Sequence, residues 1–293
     1  MRRTAFFLLA SFAAAEIIRA DVETAEGMKP ILIEEKEPDR KWLSFSGYVD
    51  VETALLCRGF VWDQHPFSVQ YADGTIDLGA FGRVSGYVWD MLSWSPASHT
   101  WNHLHYRCNE VDYGLRYAFD LELAEQWKLT SGVAKQWVTF PGIEHDDSNS
   151  VIDWEAFQSL RNPYLVPYWK MRYIYKPFTE FYWIAGVKRT FPFFVEGLEL
   201  TFDFFGDLGD ARHCRNLFGP KPSDPYSNYH GGIQSINAVM RFDYLLTDYL
   251  SVFAFVGYYG LVSDDARHSV KAMHHTDAEC DLVYGGIGLS IDF

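Results

Sequence analysis

The chain has 293 residues, 17% of them aromatic, and its formal net charge is −14. This acidic balance argues against nucleic acid as a partner, because a nucleic-acid-binding surface needs an excess of Lys and Arg. The mean hydropathy of −0.14 excludes a bundle of membrane-spanning helices. It is compatible with a membrane barrel, whose strands need only about 10 residues each and are apolar at alternate positions.

The first 41 residues carry two signals. Arg2 and Arg3 precede an apolar run from Ala5 to Ala15 and a stretch of small residues, which is the pattern of a secretory signal. We predict a signal peptide over 1–20, with cleavage after Ala15 or after Ala20. Residues 21–41 are rich in Glu, Lys, Asp and Pro and show no period, which predicts a flexible periplasmic leader. A plug in the barrel mouth is the alternative for this leader.

From Trp42 onward, apolar and polar residues alternate in short runs, which indicates β-strands. We predict an all-β fold over 42–293: a closed transmembrane antiparallel β-barrel of about twelve strands, with ten as the alternative. The predicted strands are 44–57, 67–71, 76–92, 110–119, 127–140, 150–159, 164–175, 180–191, 195–205, 232–244, 249–261 and 279–293.

Connections between the strands favour twelve over ten. Bacterial barrels have short periplasmic turns and longer outer loops, so long and short connections must alternate along the chain. With ten strands, the longest connection, 206–230, would fall on the short-turn side. Asp73-Gly74 is a hairpin signal, and it predicts a tight turn over 72–75.

The closing segment 279–293 shows the two-residue period clearly. Val283, Ile287 and Leu289 share one face, while small or polar residues occupy the other, and the segment ends on Phe293. This pattern indicates a strand with one face on membrane lipid and its last aromatic residue in the interfacial girdle. We predict a bacterial outer-membrane location and recognition of Phe293 by the barrel-assembly machinery.

Charged residues within the strands are assigned to the lumen, because Arg or Lys facing lipid at the midplane costs roughly 2–4 kcal/mol. Our hypothesis is that acidic strands face basic strands across a narrow aqueous path, whose transverse field sorts small polar solutes. The alternative is that the charges pair and fill the barrel. The candidate lumen residues are Asp50, Glu52, Glu110, Asp112, Arg116, Lys170, Arg172, Lys188, Glu199, Asp203 and Arg241.

Three histidines form a candidate metal site. His99, His103 and His105 lie in a predicted outer loop, and an extended backbone would put two of the imidazoles on one side. Solvent-exposed loop histidine is the alternative, because no Cys or carboxylate completes a known ligand spacing. We predict no cofactor.

Four cysteines lie at the predicted outer ends of strands or in outer loops. An exported chain is exposed to an oxidising compartment, so two disulfides are possible. Strands one and twelve must be neighbours in a closed sheet, which predicts Cys57–Cys280 across the seam. Cys108–Cys214 would then tie two loops over the mouth. Free thiols are the alternative.

Enzyme motifs are not evident. The chain lacks G-x-S-x-G, H-E-x-x-H, the P-loop and the dinucleotide fingerprint. The carboxylate pairs Asp146-Asp147 and Asp264-Asp265 lie in predicted outer loops, an arrangement that some barrel proteases use, so an outer-membrane hydrolase stays open. The main expectation is a channel for small polar solutes, and a non-conducting structural or surface-interaction barrel is the second.

Two segments resemble a family of uncharacterised bacterial outer-membrane β-barrels. The segment from Cys57 to Gln70, C-R-G-F-V-W-D-Q-H-P-F-S-V-Q, resembles that family's R-G-x…D-x-P-x-x-Q segment. The tetrapeptide Glu110 to Tyr113 resembles its E-V-D-Y strand opening. Cys57 departs from the small or aromatic residue that usually precedes R-G. The resemblance implies a barrel in the outer membrane, and it implies no substrate and no catalytic residues.

Overall fold

A computed structural model describes residues 42–57, 60–94, 99–101, 104–106, 110–139, 150–176, 179–218, 231–272 and 279–293. The predicted signal peptide and leader lie outside these residues. Neither α-helix of the described part is long and apolar enough to cross a membrane.

The described elements are mainly strands. The strands are β1 Leu43–Glu52, β2 Leu55–Cys57, β3 Phe60–Asp63, β4 Phe67–Asp77, β5 Arg83–Ser93, β6 His99–Trp101, β7 Leu104–Tyr106, β8 Glu110–Ala124, β9 Trp127–Thr139, β10 Ser150–Arg161, β11 Val166–Lys176, β12 Glu180–Pro192, β13 Leu198–Gly209, β14 Gly232–Thr247, β15 Leu250–Leu261 and β16 Asp281–Asp292. The helices are α1 Ala211–Phe218 and α2 Asp264–Ala272, and a 3-10 turn covers Gly79–Phe81.

Twelve of the strands form one closed antiparallel barrel, in the order β1-β16-β15-β14-β13-β12-β11-β10-β9-β8-β5-β4 and back to β1. The predicted all-β barrel of twelve strands is therefore confirmed. Strands β2 and β3 form a separate hairpin in the first long connection, and β6 and β7 form another in the second. Short turns join the strands at one end of the barrel, and both hairpins and both helices lie in connections at the other end.

The seam between β1 and β16 closes the barrel. Val49 pairs with Leu289 and Glu52 with Gly286 along this seam. At the short-turn end, Phe45 and Phe293 exchange backbone hydrogen bonds of 3.2 and 2.8 Å. Closure matters because an open edge would leave a row of unpaired peptide groups in contact with hydrocarbon.

Burial alternates residue by residue along the strands, as a two-faced sheet requires. In β8, Asp112 and Arg116 are buried, whereas Leu115 and Tyr117 between and beside them are exposed. In β16, Val283 and Ile287 are 69% and 61% exposed. The apolar face therefore points away from the barrel axis and the charged face points toward it.

The turn expected at Asp73-Gly74 is wrong. Strand β4 runs through both residues, and the chain turns at 78–82 instead. Gly74 lies opposite Gly86, and a β-carbon at Gly74 would lie 3.1 Å from the ring of Phe45. The glycine thus makes room for an aromatic ring within a strand. In the sequence alone, this Asp-Gly pair has the same appearance as a turn signal.

Two connections predicted as irregular loops instead form helices. Asp210 caps α1, because its Oδ1 accepts a 2.6 Å hydrogen bond from the backbone N–H of His213. Ser263 Oγ accepts from the Ala266 N–H at the start of α2, where Asp264 and Asp265 also favour the helix N-terminus.

The helices and the β2–β3 hairpin share one apolar cluster with the barrel wall, which we call the cap cluster. It lies at the long-connection end, on the side of β15 and β16. Its buried members are Ala54, Val61, Cys214, Phe218, Tyr259, Leu261, Ala266, Val270, Cys280 and Tyr284. The cap cluster explains why the helices form in segments that are too short to be stable alone.

A first prediction concerns the seam. We expect Gly288→Ala to destabilise the closed barrel by about 1–3 kcal/mol, because the added methyl group would lie 2.5 Å from the backbone oxygen of Val49 and from the Phe253 ring. Urea unfolding followed by loss of the compact, fast-migrating band in cold SDS gels would measure the change.

Gly206→Ala is the matched control for the seam, since its β-carbon would meet Ser235 and Ile233 only at 3.5 and 3.9 Å. Equal stability of the two variants would contradict the seam packing described above.

Candidate functional site

The interior of the barrel is the candidate site. Five of the predicted lumen residues are nearly inaccessible, with relative exposures of 7–9%: Asp50, Glu110, Asp112, Arg116 and Lys188. The other six are half-buried: Glu52, Lys170, Arg172, Glu199, Asp203 and Arg241. Buried charge needs partners, so the pairing of these groups decides what the interior can do.

The strand order sets the acidic residues of β1 opposite the basic residues of β11. Six steps around the twelve-strand order separate these two strands, which is half of the circumference. Asp50 and Glu52 lie in the long-connection half of β1, Arg172 lies in the same half of β11, and Lys170 lies next to the midpoint of β11. The arrangement has the polarity that a transverse field requires.

The basic residues of β11 are, however, paired on their own side. Arg172 Nε donates a 2.7 Å hydrogen bond to Glu155, and Lys170 Nζ lies 3.9 Å from the same carboxylate. Arg172 also lies 3.9 Å from Asp153. Sequence reasoning missed Asp153 and Glu155, although the D-W-E alternation within β10 carries the signal.

A second polar cluster surrounds Asp207 on β13. Its carboxylate accepts hydrogen bonds from Tyr182, from Ser235 at 2.6 Å and from Asn237 at 2.7 Å. The sequence predicts a loop at Asp207, because Gly206 opens a long connection with many Gly and Pro residues. The strand in fact continues to Gly209.

Aromatic rings fill the interior between the charges. Arg116 lies over the Tyr87 ring at 5.0 Å, and Arg241 lies over the Phe253 ring at 3.9 Å while it binds Asp243. The rings of Tyr48 and Tyr71 stack at 5.3 Å. Such contacts stabilise cations in a partly dehydrated interior.

Helix α1 is fastened to the barrel wall through two carboxylates, those of Glu180 and Asp210. Glu180 on β12 lies 3.1 Å from His213 Nδ1 and accepts a 2.6 Å hydrogen bond from Asn216. Asp210 adds a bond from the Phe181 N–H at 3.2 Å. We call Glu180, His213 and Asn216 the α1 latch, because these side chains fasten α1, which contributes Cys214 and Phe218 to the cap cluster, to β12.

The two disulfide predictions are wrong for the described cysteines. Cys214 and Cys280 are both free and buried, so the structure forms neither Cys57–Cys280 nor Cys108–Cys214. Both thiols lie in the cap cluster, and Cys280 Sγ approaches the carbonyl oxygen of Arg267 at 3.6 Å. Residue 108 and the side chain of residue 57 lie outside the described part.

The histidine site stays a prediction. His103 lies outside the described residues, and only the backbone of His99 and His105 is described. Across the β6–β7 hairpin, His99 pairs with Tyr106 and Thr100 with His105. Within the described part, no group of three or more His, Cys, Asp or Glu side chains is arranged to hold a metal ion.

The motifs behind the family resemblance are only partly described. Residues 58–59 lie outside the described part, and Glu110 to Tyr113 open β8. The spacing in this chain, D-x-x-P-x-x-x-Q, has one residue more in each gap than the family pattern. The resemblance therefore stays a prediction.

By sequence, neither a family model nor a curated protein matches the chain. By structure, it is similar to an outer-membrane channel of Pseudomonas putida F1, at 8% identity and a TM-score of 0.49, over 91% of this chain and all of that one. The translocator domain of the autotransporter NalP of Neisseria meningitidis follows, at 10% and 0.45, over 88% and 90%. The KdgM porin in complex with oligogalacturonate matches at 7% and 0.45, over 85% and 99%. At these values the likeness carries no information on solutes or partners.

The α1 latch generates a second prediction. We expect Glu180→Gln to loosen α1, because the amide offers one acceptor where the carboxylate serves both His213 and Asn216. Hydrogen–deuterium exchange of 211–218 in detergent micelles should speed up about fivefold, which corresponds to roughly 1 kcal/mol.

Glu196→Gln, a carboxylate exposed in the turn between β12 and β13, is the control for the latch. Unchanged exchange of 211–218 in Glu180→Gln would show that the latch does not hold the helix.

The buried thiols generate a third prediction, for a variant with Cys57→Ser and Cys108→Ser. Burial raises the pKa of Cys214 to about 12 and also raises the pKa of Cys280. At pH 8 both groups are therefore protonated and unreactive, since the thiolate is the nucleophile. At pH 8, a maleimide should label neither cysteine in the folded barrel and both cysteines in guanidinium. As the pH is raised, the labelling rate of the folded barrel should increase and should reach no plateau below pH 10. Rapid labelling at pH 8 would rule out the buried cap cluster.

Proposed function

We propose that this chain is an integral barrel of the bacterial outer membrane and acts as a narrow channel for small polar solutes. One observation carries the proposal: the same twelve strands present large apolar side chains outward and charged side chains inward. Leu115 is 58% exposed on the outer face, whereas its neighbour Arg116 is 9% exposed. Burial of this kind suits a cylinder whose outside is dissolved in hydrocarbon.

The height of the apolar belt supports the membrane placement. On the outer face of β9, Trp127 and Trp137 stand ten residues apart. With a rise of about 3.4 Å per residue and a tilt of about 40°, they are separated by about 26 Å along the barrel axis. This matches the apolar band of about 25 Å between the two aromatic girdles. Recognition of Phe293 by the assembly machinery belongs to the same proposal, and the Phe293 side chain is 52% exposed.

The charges inside the barrel suggest the class of solute. Carboxylates outnumber basic groups there, since Asp153, Glu155 and Asp207 join the acidic residues predicted from sequence. Arg172 and Lys170 are already engaged with Glu155. Asp50 and Glu52 on β1 form the acidic side of the path opposite β11, which favours small cations and zwitterions over anions.

A non-conducting barrel is the second candidate. It is favoured by the exposures below one tenth of several interior side chains and by the cap cluster over one end. In the channel proposal, the cap cluster is the constriction, and the α1 latch sets how far it closes the path.

Single-channel recording in planar bilayers separates the two candidates and is the fourth prediction. We expect small unitary currents with cation selectivity, read from the reversal potential in a KCl gradient. Asp50→Asn combined with Glu52→Gln should shift the reversal potential toward anions, because it removes the acidic side of the path.

Asp248→Asn, in the exposed turn between β14 and β15, is the matched control for the recordings. Flat traces from folded protein would exclude the channel and leave the non-conducting barrel. Currents without a shift in the double variant would place the path elsewhere in the interior.

A further inference from the structure

Lys135 departs from the rule that charges point inward. It lies on the outer face of β9 between Val133 and Trp137, and it pairs across the sheet with Leu115 and Trp154. Val133, Leu115 and Trp154 are 43%, 58% and 48% exposed. The position therefore faces the surroundings of the barrel.

The ammonium group of Lys135 is held by two indole rings. Its Nζ lies 4.7 Å from the Trp137 ring centre and 5.4 Å from the Trp154 ring centre. No carboxylate of the described residues forms an ion pair with it. Cation–π contacts offset part of the cost of a dehydrated charge, and the positive charge stays available to an anion.

A groove of about 560 Å³ adjoins this cation on the outer face. Gly74 and Gly86 pair across β4 and β5 and leave its floor without side chains, and Phe45 and Leu115 form its walls. Trp137 lines the groove and also contacts Lys135. The apolar groove and the cation thus share one residue.

The height of Lys135 identifies its surroundings. It stands eight residues from Trp127 along β9, which is about 21 Å along the axis at a tilt of about 40°. With Trp127 in one girdle, Lys135 lies in the other, on the side of the long connections. Lipid phosphates occupy this level, and Trp and Lys are the residues that anchor there.

We propose that Lys135, Trp137 and Trp154, together with the adjoining groove, bind one membrane lipid that carries an anionic phosphate. The ammonium group pairs with the phosphate, and an acyl chain lies in the groove over Gly74 and Gly86. This inference rests on the membrane placement proposed above and is independent of whether the lumen conducts.

Native mass spectrometry tests the proposal, with diphosphorylated lipid A titrated into the barrel in dodecylmaltoside. We expect Lys135→Gln to weaken lipid A binding about tenfold, as loss of a charge-assisted phosphate contact does. Lys271→Gln, an exposed lysine of α2 outside the belt, removes the same charge and should bind as the unaltered chain does. Equal binding by the two variants would overturn the proposal.

Gly86→Leu tests the groove separately. A β-carbon at Gly86 would meet the Leu115 side chain at an ordinary 3.7 Å, so the variant should fold while its side chain fills the groove. We expect weaker binding of lipid A, whereas unchanged binding would exclude the acyl-chain contact. Lys135→Arg keeps the positive charge and should bind lipid A as the unaltered chain does. If Lys135→Gln does not fold, loss of lipid A binding by Lys135→Arg would refute the phosphate pairing.

Two further arms complete the test. Inorganic phosphate at the same concentration as lipid A should not displace bound lipid A, because the groove also contributes to lipid binding. Full displacement would show that the site binds free phosphate and not a lipid. Single-channel currents of Lys135→Gln should match those of the unaltered chain. A barrel that does not insert into bilayers would refute the membrane placement itself, whereas insertion with equal lipid binding by all variants would refute only the lipid site.

Discussion

Closure of the hydrogen-bonded sheet is the constraint on which this structure depends. Hydrocarbon offers no partner to a peptide N–H or C=O, so a spanning sheet must have no free edge. The β1–β16 ladder removes that edge, and the mutual bonds of Phe45 and Phe293 complete it at one end. Once the cylinder is closed, each strand has a fixed inside and outside. The alternation of charged and apolar residues follows from that geometry.

The inside handles its charges chiefly by pairing them between neighbouring strands. Arg172 and Lys170 both pair with Glu155, and the Asp207 carboxylate accepts three side-chain hydrogen bonds. These contacts keep charged groups in a confined space at tolerable cost, and they also narrow any path for solutes. The cap cluster adds a second constraint at one end, where Glu180 and Asp210 hold α1 against β12.

On the outer face of the described strands, Lys135 is neutralised in another way. Lys135 forms no ion pair with a described carboxylate, and its ammonium group lies against the two indole rings of Trp137 and Trp154. In the lumen, Arg172 and Lys170 pair with Glu155 of the adjacent strand β10, whereas Arg116 lies over the rings of Tyr87 and Phe157. The outer face can satisfy Lys135 only with aromatic rings and with whatever anion the membrane supplies. Because an anion that reaches Lys135 comes from the membrane and not from the lumen, this charge points to a lipid rather than to a solute.

The two-residue period by itself determined the fold class and the inward or outward assignment of residues such as Asp112 and Leu115, because alternation is a local property of a strand. The alternation of long and short connections favoured twelve strands over ten. Partners across the sheet are not local. The role of Gly74 depends on Phe45, and the neutralisation of Arg172 depends on Glu155, so only the tertiary structure placed them. The same holds for the free thiols of Cys214 and Cys280, which share an apolar cluster built from four separate segments. Short helices such as α1 form only where such a cluster exists to bury them, and their sequence alone does not reveal it.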